Sequence, residues 1–230
     1  MKLVACYVVC NEEQSIVDSL RSLKAYVDEY VIIDSVFTSN PIPATHSTDQ
    51  TRLVSEIICT PIPLTYIESD KKLTEQQARN LYLSQVKDYD WLVWLDGDEV
   101  LYSRHTDMLR IIEDIKANRI VNCISVPTFT TAILFKGLGK DMPPKEFATN
   151  PIISTWDYQT KFIQKKPGYQ YLDEMDIFED ACYDHDHKLV TNNTRNRMDE
   201  IIVINHHAQQ SHESYVNDCI WALKQRAGRK

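Results

Sequence analysis

A chain of 230 residues with 43% hydrophobic and 25% charged content is long enough for one large core and has neither a disordered nor a fibrous composition. Its net charge of -8 argues against nucleic acid as the main partner, because phosphate contact wants a basic face. Apolar runs such as Val31-Ile32-Ile33 stop far short of the ~20 residues a membrane span needs, and Met1 to Cys6 leads to Asn11-Glu12-Glu13 without a cleavage pattern, so one cytoplasmic domain over residues 1–230 is expected.

Leu3 to Val9 reads as a short buried strand, and Ile16, Val17, Leu20 and Leu23 after it form one face of a helix. Tyr30 to Ile33 is a second strand ending at Asp34. A polar, proline-containing stretch from Ser35 to Gln50 leads to a short helix, and a third strand is expected near Glu56 to Thr60. Pro61 and Pro63 break the chain, after which Thr74 to Val86 reads as a helix with Ala78, Leu81 and Tyr82 inward. Trp91 to Leu95 is a strand apolar on both faces, followed at once by Asp96-Gly97-Asp98-Glu99. A helix over Thr106 to Lys116 and a strand over Cys123 to Pro127 complete an alternating half. Continuous apolar strands alternating with helices predict an α/β fold with a parallel sheet covered on both faces.

Beyond it, 129–150 is irregular and proline-containing, as expected of a loop that closes over a site. Trp156 to Gln164 and Ile201 to Asn205 read as strands and Ser211 to Arg226 as a closing helix. The six cysteines (Cys6, Cys10, Cys59, Cys123, Cys182, Cys219) form no CxxC pair and read as free thiols. Lysines gather at Lys136 to Lys145 and Lys161 to Lys166, where solvated side chains are expected. Asn192-Asn193-Thr194 has the form of a glycosylation sequon but reads as a turn without a secretory signal.

Five glycines are few, and neither GxGxxG nor GxxxxGK[ST] occurs, so the chain lacks the usual glycine-rich phosphate loop. If a nucleoside diphosphate binds, a cation must carry much of its neutralisation. Asp96 and Asp98 suit that task, because two carboxylates one residue apart repel unless a cation relieves them, and hard cations such as Mn²⁺ or Mg²⁺ prefer carboxylate oxygen. A solvated acidic turn is the other reading of Asp-Gly-Asp. In open α/β sheets ligands sit beyond the carboxyl ends of strands, where Asp34 and Asp96 both fall.

Five segments together resemble the family 2 glycosyltransferases of GT-A fold: Val8-Val9-Cys10-Asn11-Glu12-Glu13, Val27 to Asp34, Ser47-Thr48-Asp49, Ala78-Arg79-Asn80, and Asp90-Trp91 through Glu99. The resemblance implies a GT-A-like, mostly parallel sheet flanked by helices, with residues 1–128 as the nucleotide-sugar half and a mixed acceptor-side half over 129–230. It implies an enzyme that moves a sugar from a UDP- or GDP-sugar donor to an acceptor hydroxyl, of a carbohydrate or another compound, with inversion. Val9, Asn11 and Glu12 would line the nucleotide pocket, and Asp34 would accept from base or ribose. Arg79 would serve base or diphosphate, its other reading being a surface helix arginine. Asp96 would touch ribose or metal, and Asp98 would ligate the metal. Ile204-Asn205-His206-His207 resembles the family's late histidine segment, with His206 preferred to His207 as a metal ligand. Phe178-Glu179-Asp180 resembles its acidic pair, so Glu179 or Asp180 would be the general base, with Asp173, Glu174 and Asp176 as competitors. Asp184-His185-Asp186-His187 reads as an exposed polar loop rather than a metal site. The chain departs from the family's pattern in the additional residues Ser35 to His46 and in the missing glycine before Ser47. A sugar-nucleotide nucleotidyltransferase, a non-catalytic sugar- or nucleotide-binding module and a viral enzyme glycosylating modified DNA bases are the rival readings.

Overall fold

The computed structural model describes residues 1–103, 108–117, 123–132, 152–172, 182–190 and 201–205. The element order is β1 (Leu3–Val9), α1 (Ile16–Leu23), β2 (Glu29–Asp34), α2 (Thr51–Cys59), β3 (Leu64–Glu68), α3 (Glu75–Gln85), β4 (Trp91–Trp94), β5 (Glu99–Ser103), α4 (Met108–Ala117), β6 (Cys123–Ala132), β7 (Ile152–Gln164), β8 (Gln170–Tyr171), β9 (Cys182–Tyr183) and β10 (Ile201–Asn205). Eight of these strands form one sheet in the order β3-β2-β1-β4-β7-β6-β10-β5.

Strands β3, β2, β1 and β4 are mutually parallel, and β7 joins β4 antiparallel. The remaining strands make a mixed half in which β6 and β10 run parallel and β10 and β5 antiparallel. The α/β class and a mostly parallel sheet with a mixed part agree with expectation, but β5 and β6, which fall within residues expected in the alternating half, lie in the mixed part, where β5 pairs with β10 and β6 with β7 in antiparallel fashion. Strand alternation explains why both faces of the parallel half are apolar. Leu3, Ala5, Tyr7, Val9, Tyr30, Ile32, Trp91 and Val93 pack on one face with α1 and α4 residues such as Leu20 and Ile112. Val4, Cys6, Val31, Ile33, Leu92 and Trp94 pack on the other with Ala78, Tyr82 and Leu83 of α3. Each Val, Leu or Ile side chain buried this fully contributes about 1.5–3 kcal/mol.

Several boundaries differ from the sequence reading. Residues 56–60, expected as the third strand, are the end of α2 and its cap, and the strand lies at Leu64–Glu68. Ser55 and Cys59 are the buried side of that helix, whereas Ile57 is 64% exposed, so this short apolar run is helical, a case that periodicity alone does not separate from a strand. Strand β5 lies outside the sequence expectation because it opens on the acidic residue Glu99. Residues 129–132, expected to begin a loop, extend β6, while 133–150 lie outside the described residues. Helix α3 starts at a capping box in which Thr74 and Gln77 exchange backbone and side-chain hydrogen bonds at 3.1 and 3.2 Å, an arrangement that contributes about 1 kcal/mol. Its inner face carries Ala78 and Tyr82 as expected, with Leu81 partly buried against the same core, and adds Leu83 and Arg79. Cys6, Cys10, Cys59, Cys123 and Cys182 are free thiols. No helix among the described residues is long and apolar enough to cross a membrane.

Candidate functional site

In the strand order β3-β2-β1-β4 the chain leaves β1 toward one edge and returns on β1's other side, so β1 and β4 flank the point where the winding reverses. Open α/β sheets bind ligands beyond the carboxyl ends of the strands at such a point. There Asn11-Glu12-Glu13 follows β1, Asp34 ends β2, and Asp96-Gly97-Asp98 follows β4. The two loops touch: a Cβ added to Gly97 would sit 3.0 Å from Glu12 Cγ and 3.2 Å from Cδ, so any larger residue would push the Glu12 side chain aside by a few tenths of an ångström. Asp96 is exposed, Asp98 half-buried and Gly97 buried.

The Glu12 carboxyl is pushed up to about 7, first by burial and then by the nearby Asp98, Asp96 and Asp49 carboxylates, against an opposing hydrogen bond donated by Ser15 Oγ. The proximity of Glu12 to Asp96 and Asp98 gathers three carboxyl groups whose mutual repulsion a bound cation would relieve. The donors are hard carboxylate oxygens, which suits Mg²⁺ or Mn²⁺ over softer metals.

Asp34 is 1% exposed and its carboxylate is taken up by the protein. Oδ1 accepts from the Ser47 N–H at 2.7 Å and from Ser47 Oγ at 2.8 Å, and Oδ2 accepts from the Tyr66 hydroxyl at 2.8 Å. Ser47 Oγ in turn accepts from the Asn11 N–H at 2.8 Å. Asn11 stands at φ 56°, and its Oδ1 accepts from the Thr48 N–H at 2.8 Å. Glu12 N–H donates to Thr51 Oγ1 at 2.8 Å, Glu13 N–H to Asp49 Oδ2 at 3.2 Å, and Gln50 N–H to Glu13 Oε2 at 3.0 Å. Residues 11–13 and 47–51 are thus laced together above β1 and β2. Ser47 belongs to the Ser47-Thr48-Asp49 segment quoted from the sequence, whereas Thr51 and Tyr66 as lacing residues are not legible there, because Glu12 and Asp34, which they bond, lie 39 and 32 positions away.

Arg79 is 4% exposed and therefore not a surface arginine. Its Nε and Nη2 donate to Glu75 Oε1 at 2.9 and 2.5 Å, and its guanidinium carbon lies 4.2 Å from the centre of the Trp94 ring. Beside it Asn80 Nδ2 donates to the Tyr171 carbonyl at 2.7 Å while Asn80 Oδ1 accepts from the Tyr171 N–H at 2.8 Å. The Ala78-Arg79-Asn80 segment therefore fastens α3 to Trp94 and to β8, just behind the acidic turn.

Lys161, expected among solvated lysines, is fully buried. The antiparallel register of β4 and β7 ends at Val93 and Phe162, and β6 pairs with β7 through Phe162 and Thr160 with a register shift between them, so Lys161 stands at an irregularity of the ladder, with its side chain in the core. Its ammonium donates to Glu99 Oε1 at 2.8 Å and Oε2 at 2.7 Å and lies 3.8 Å from the Trp94 ring centre. Burial pushes the Glu99 carboxyl up, and Lys161 pulls it back.

Asp184, His185 and Asp186 are the one group of three potential ligands brought within reach of a single ion among the described residues, yet His185 and Asp186 are exposed. Asp184 Oδ1 accepts from the Asp186 and Lys188 N–H groups at 2.9 Å each, so the segment is a polar turn, as expected. An open cleft of about 620 Å³ next to it is lined by Lys166, Pro167, Gly168, Tyr169, Asp184 and His185, with none of the crevice residues. Glu179, Asp180, His206 and His207, and the competitors Asp173, Glu174 and Asp176, lie outside the described residues, as do Lys136 to Lys145, Asn192 to Thr194 and the expected helix at 211–226.

No protein-family model matches the chain. No curated protein matches it either. Among solved structures, 62% of the chain aligns with 37% of S. aureus TarS 1-349 in complex with UDP-GlcNAc, at 18% identity and a TM-score of 0.44. GalNAc-T7 with UDP, GalNAc and Mn²⁺ aligns over 57% of this chain and 24% of its own, at 15% identity and a TM-score of 0.43. M. tuberculosis glucosyl-3-phosphoglycerate synthase aligns over 56% of this chain and 44% of its own, at 15% identity and a TM-score of 0.39. The chain spans less than half the length of each of these three.

Proposed function

We propose that the chain is a metal-dependent glycosyltransferase of GT-A type that transfers a sugar from a UDP- or GDP-sugar to an acceptor hydroxyl with inversion. The observation that carries this reading is the convergence of Glu12 with the Asp96-Gly97-Asp98 turn at the winding reversal between β1 and β4. Asp98, with Asp96, would hold a divalent cation, Mn²⁺ or Mg²⁺, and that cation would neutralise the diphosphate that leaves the donor. His206 would complete its ligand set.

The laced loops 11–13 and 47–51 would form the nucleotide side of the crevice, with Val9 and Asn11 at its floor. With its oxygens occupied by Ser47 and Tyr66, Asp34 would shape that pocket by holding the Asn11 loop, as well as touching base or ribose. Arg79 would act from behind Trp94. Residues 129–230 would supply the acceptor side, with Glu179 or Asp180 taking the proton of the acceptor hydroxyl as it attacks the sugar carbon from the face opposite the departing diphosphate.

Titration calorimetry with UDP and GDP, with and without Mn²⁺, followed by a donor-turnover screen across nucleotide sugars, tests this. Metal-dependent binding of one nucleotide together with release of its diphosphate from the sugar is the expected result, abolished in Asp98→Ala. Binding without turnover of any donor would make the chain a binding module. Full activity in Asp98→Ala would defeat the metal assignment.

A further inference from the structure

We infer that the buried Lys161–Glu99 pair is a positioning device for the acidic turn, which holds the Asp96 backbone so that the Asp96 and Asp98 carboxylates are presented together to a cation; this rests on the metal-dependent reading above. The Asp96 N–H donates to Glu99 Oε2 at 3.1 Å, the same oxygen that takes the Lys161 ammonium at 2.7 Å. The Asp96 carbonyl accepts from the Glu99 N–H at 3.0 Å and from Ser19 Oγ at 3.3 Å. Both backbone polar groups of Asp96 are therefore tied inward, while the residue itself is exposed.

Three features set the pair apart from ordinary packing. Glu99 and Lys161 come from strands β5 and β7, which are not neighbours in the sheet, so the pair closes the space under the turn rather than continuing a ladder. The Trp94 ring meets Lys161 at 3.8 Å and Arg79 at 4.2 Å, two cations on one aromatic ring at the end of β4, while its indole N–H is buried without a hydrogen-bond partner among the described residues. The indole is thus held for its face. Finally, a charged pair with side chains only 0% and 3% exposed is an expensive way to fill space that apolar side chains would fill as well, which points to a geometric task. Groups that orient ligating carboxylates act in this way around metal ions.

The test is the double variant Glu99→Leu/Lys161→Met, which removes both charges and strands neither. Two readouts are taken on the whole protein: amide hydrogen exchange in a peptide over residues 92–102, with one over 28–36 as reference, and the Mn²⁺ dissociation constant by calorimetry. Exchange in 92–102 is expected to quicken by at least about tenfold with the reference unchanged, and the Mn²⁺ dissociation constant to rise about 10–100-fold. Unchanged exchange, or Mn²⁺ affinity within about twofold of the parent, would overturn the inference, since a merely structural pair moves the melting point alone. If the parent itself binds no Mn²⁺, the metal reading of the crevice fails and the exchange result alone decides whether the pair positions the turn. Should the double variant not fold, Glu99→Gln, which keeps shape and volume, is measured in the same two ways, and the same changes support or overturn the inference.

Discussion

Replacing Asp34 by alanine separates a loop-holding role from direct ligand contact. Asp34→Ala leaves three donors without their acceptor: the Ser47 N–H, Ser47 Oγ and the Tyr66 hydroxyl, all within 2.7–2.8 Å of the carboxylate. A hydrogen bond to a charged group contributes about 1.5–3 kcal/mol, but the three share one carboxylate and water can reach the half-exposed Ser47, so the expected loss is about 4 kcal/mol. For a chain of this size that corresponds to a fall in melting temperature of roughly 10 °C, at about 2–4 °C per kcal/mol. Asp34→Asn keeps an oxygen for Ser47 and an amide that can donate to the Tyr66 hydroxyl, so it should lose only about 1–2 kcal/mol. Thermal unfolding followed by circular dichroism reads the stability, and calorimetry well below the transition reads nucleotide affinity. A melting point within about 2 °C of the parent, combined with abolished nucleotide binding, would refute the loop-holding role and make Asp34 a ligand contact.

Lys161→Met alone strands the Glu99 carboxylate in the core and should cost about 3–5 kcal/mol in urea unfolding, while Glu99→Leu added to it recovers most of the loss; equal losses in both variants would contradict the pairing. With chelator present, Glu12 holds in the folded protein a proton that the unfolded chain has released between pH 4.5 and about 7. Its contribution to stability therefore falls as pH rises through that window, by at most roughly 3 kcal/mol, and levels off above it. In Glu12→Gln this slope should flatten, and urea midpoints with the same pH dependence in parent and variant would count against the buried carboxyl. Gly97→Ala brings a methyl against Glu12 Cγ at 3.0 Å, Cδ at 3.2 Å and Cβ at 3.3 Å. The overpacking should cost about 1–2 kcal/mol and move the two loops apart, weakening Mn²⁺ binding severalfold in calorimetry; unchanged Mn²⁺ affinity would show that the loops need not touch.

Much of the parallel half could be read from residue order. Strands such as Leu3–Val9 and Trp91–Trp94 are apolar on successive positions, a pattern that only a sheet covered on both faces makes stable, and acids at their carboxyl ends mark one edge as polar. Composition also determined the lack of a glycine-rich phosphate loop and the choice of hard carboxylates around Asp96 and Asp98. These are properties of short segments, where side-chain chemistry and period suffice.

Tertiary structure decided what each of those residues touches. A carboxylate at a strand end is an open acceptor until the fold brings a donor to it, and for Asp34 the donors come from residues 47 and 66. A lysine in a run of lysines is solvated until the fold supplies a buried partner, which Lys161 finds in the carboxylate of Glu99 and the ring of Trp94. Helix α2 and strand β3 differ from the sequence expectation for a related reason, since Ile57 and Ile58 invite a strand and only packing against α1 reveals the helical face. Period and composition act within a few residues along the chain, whereas the partners of Asp34 and Glu99 come from residues 13 to 62 positions away that only the fold brings to them.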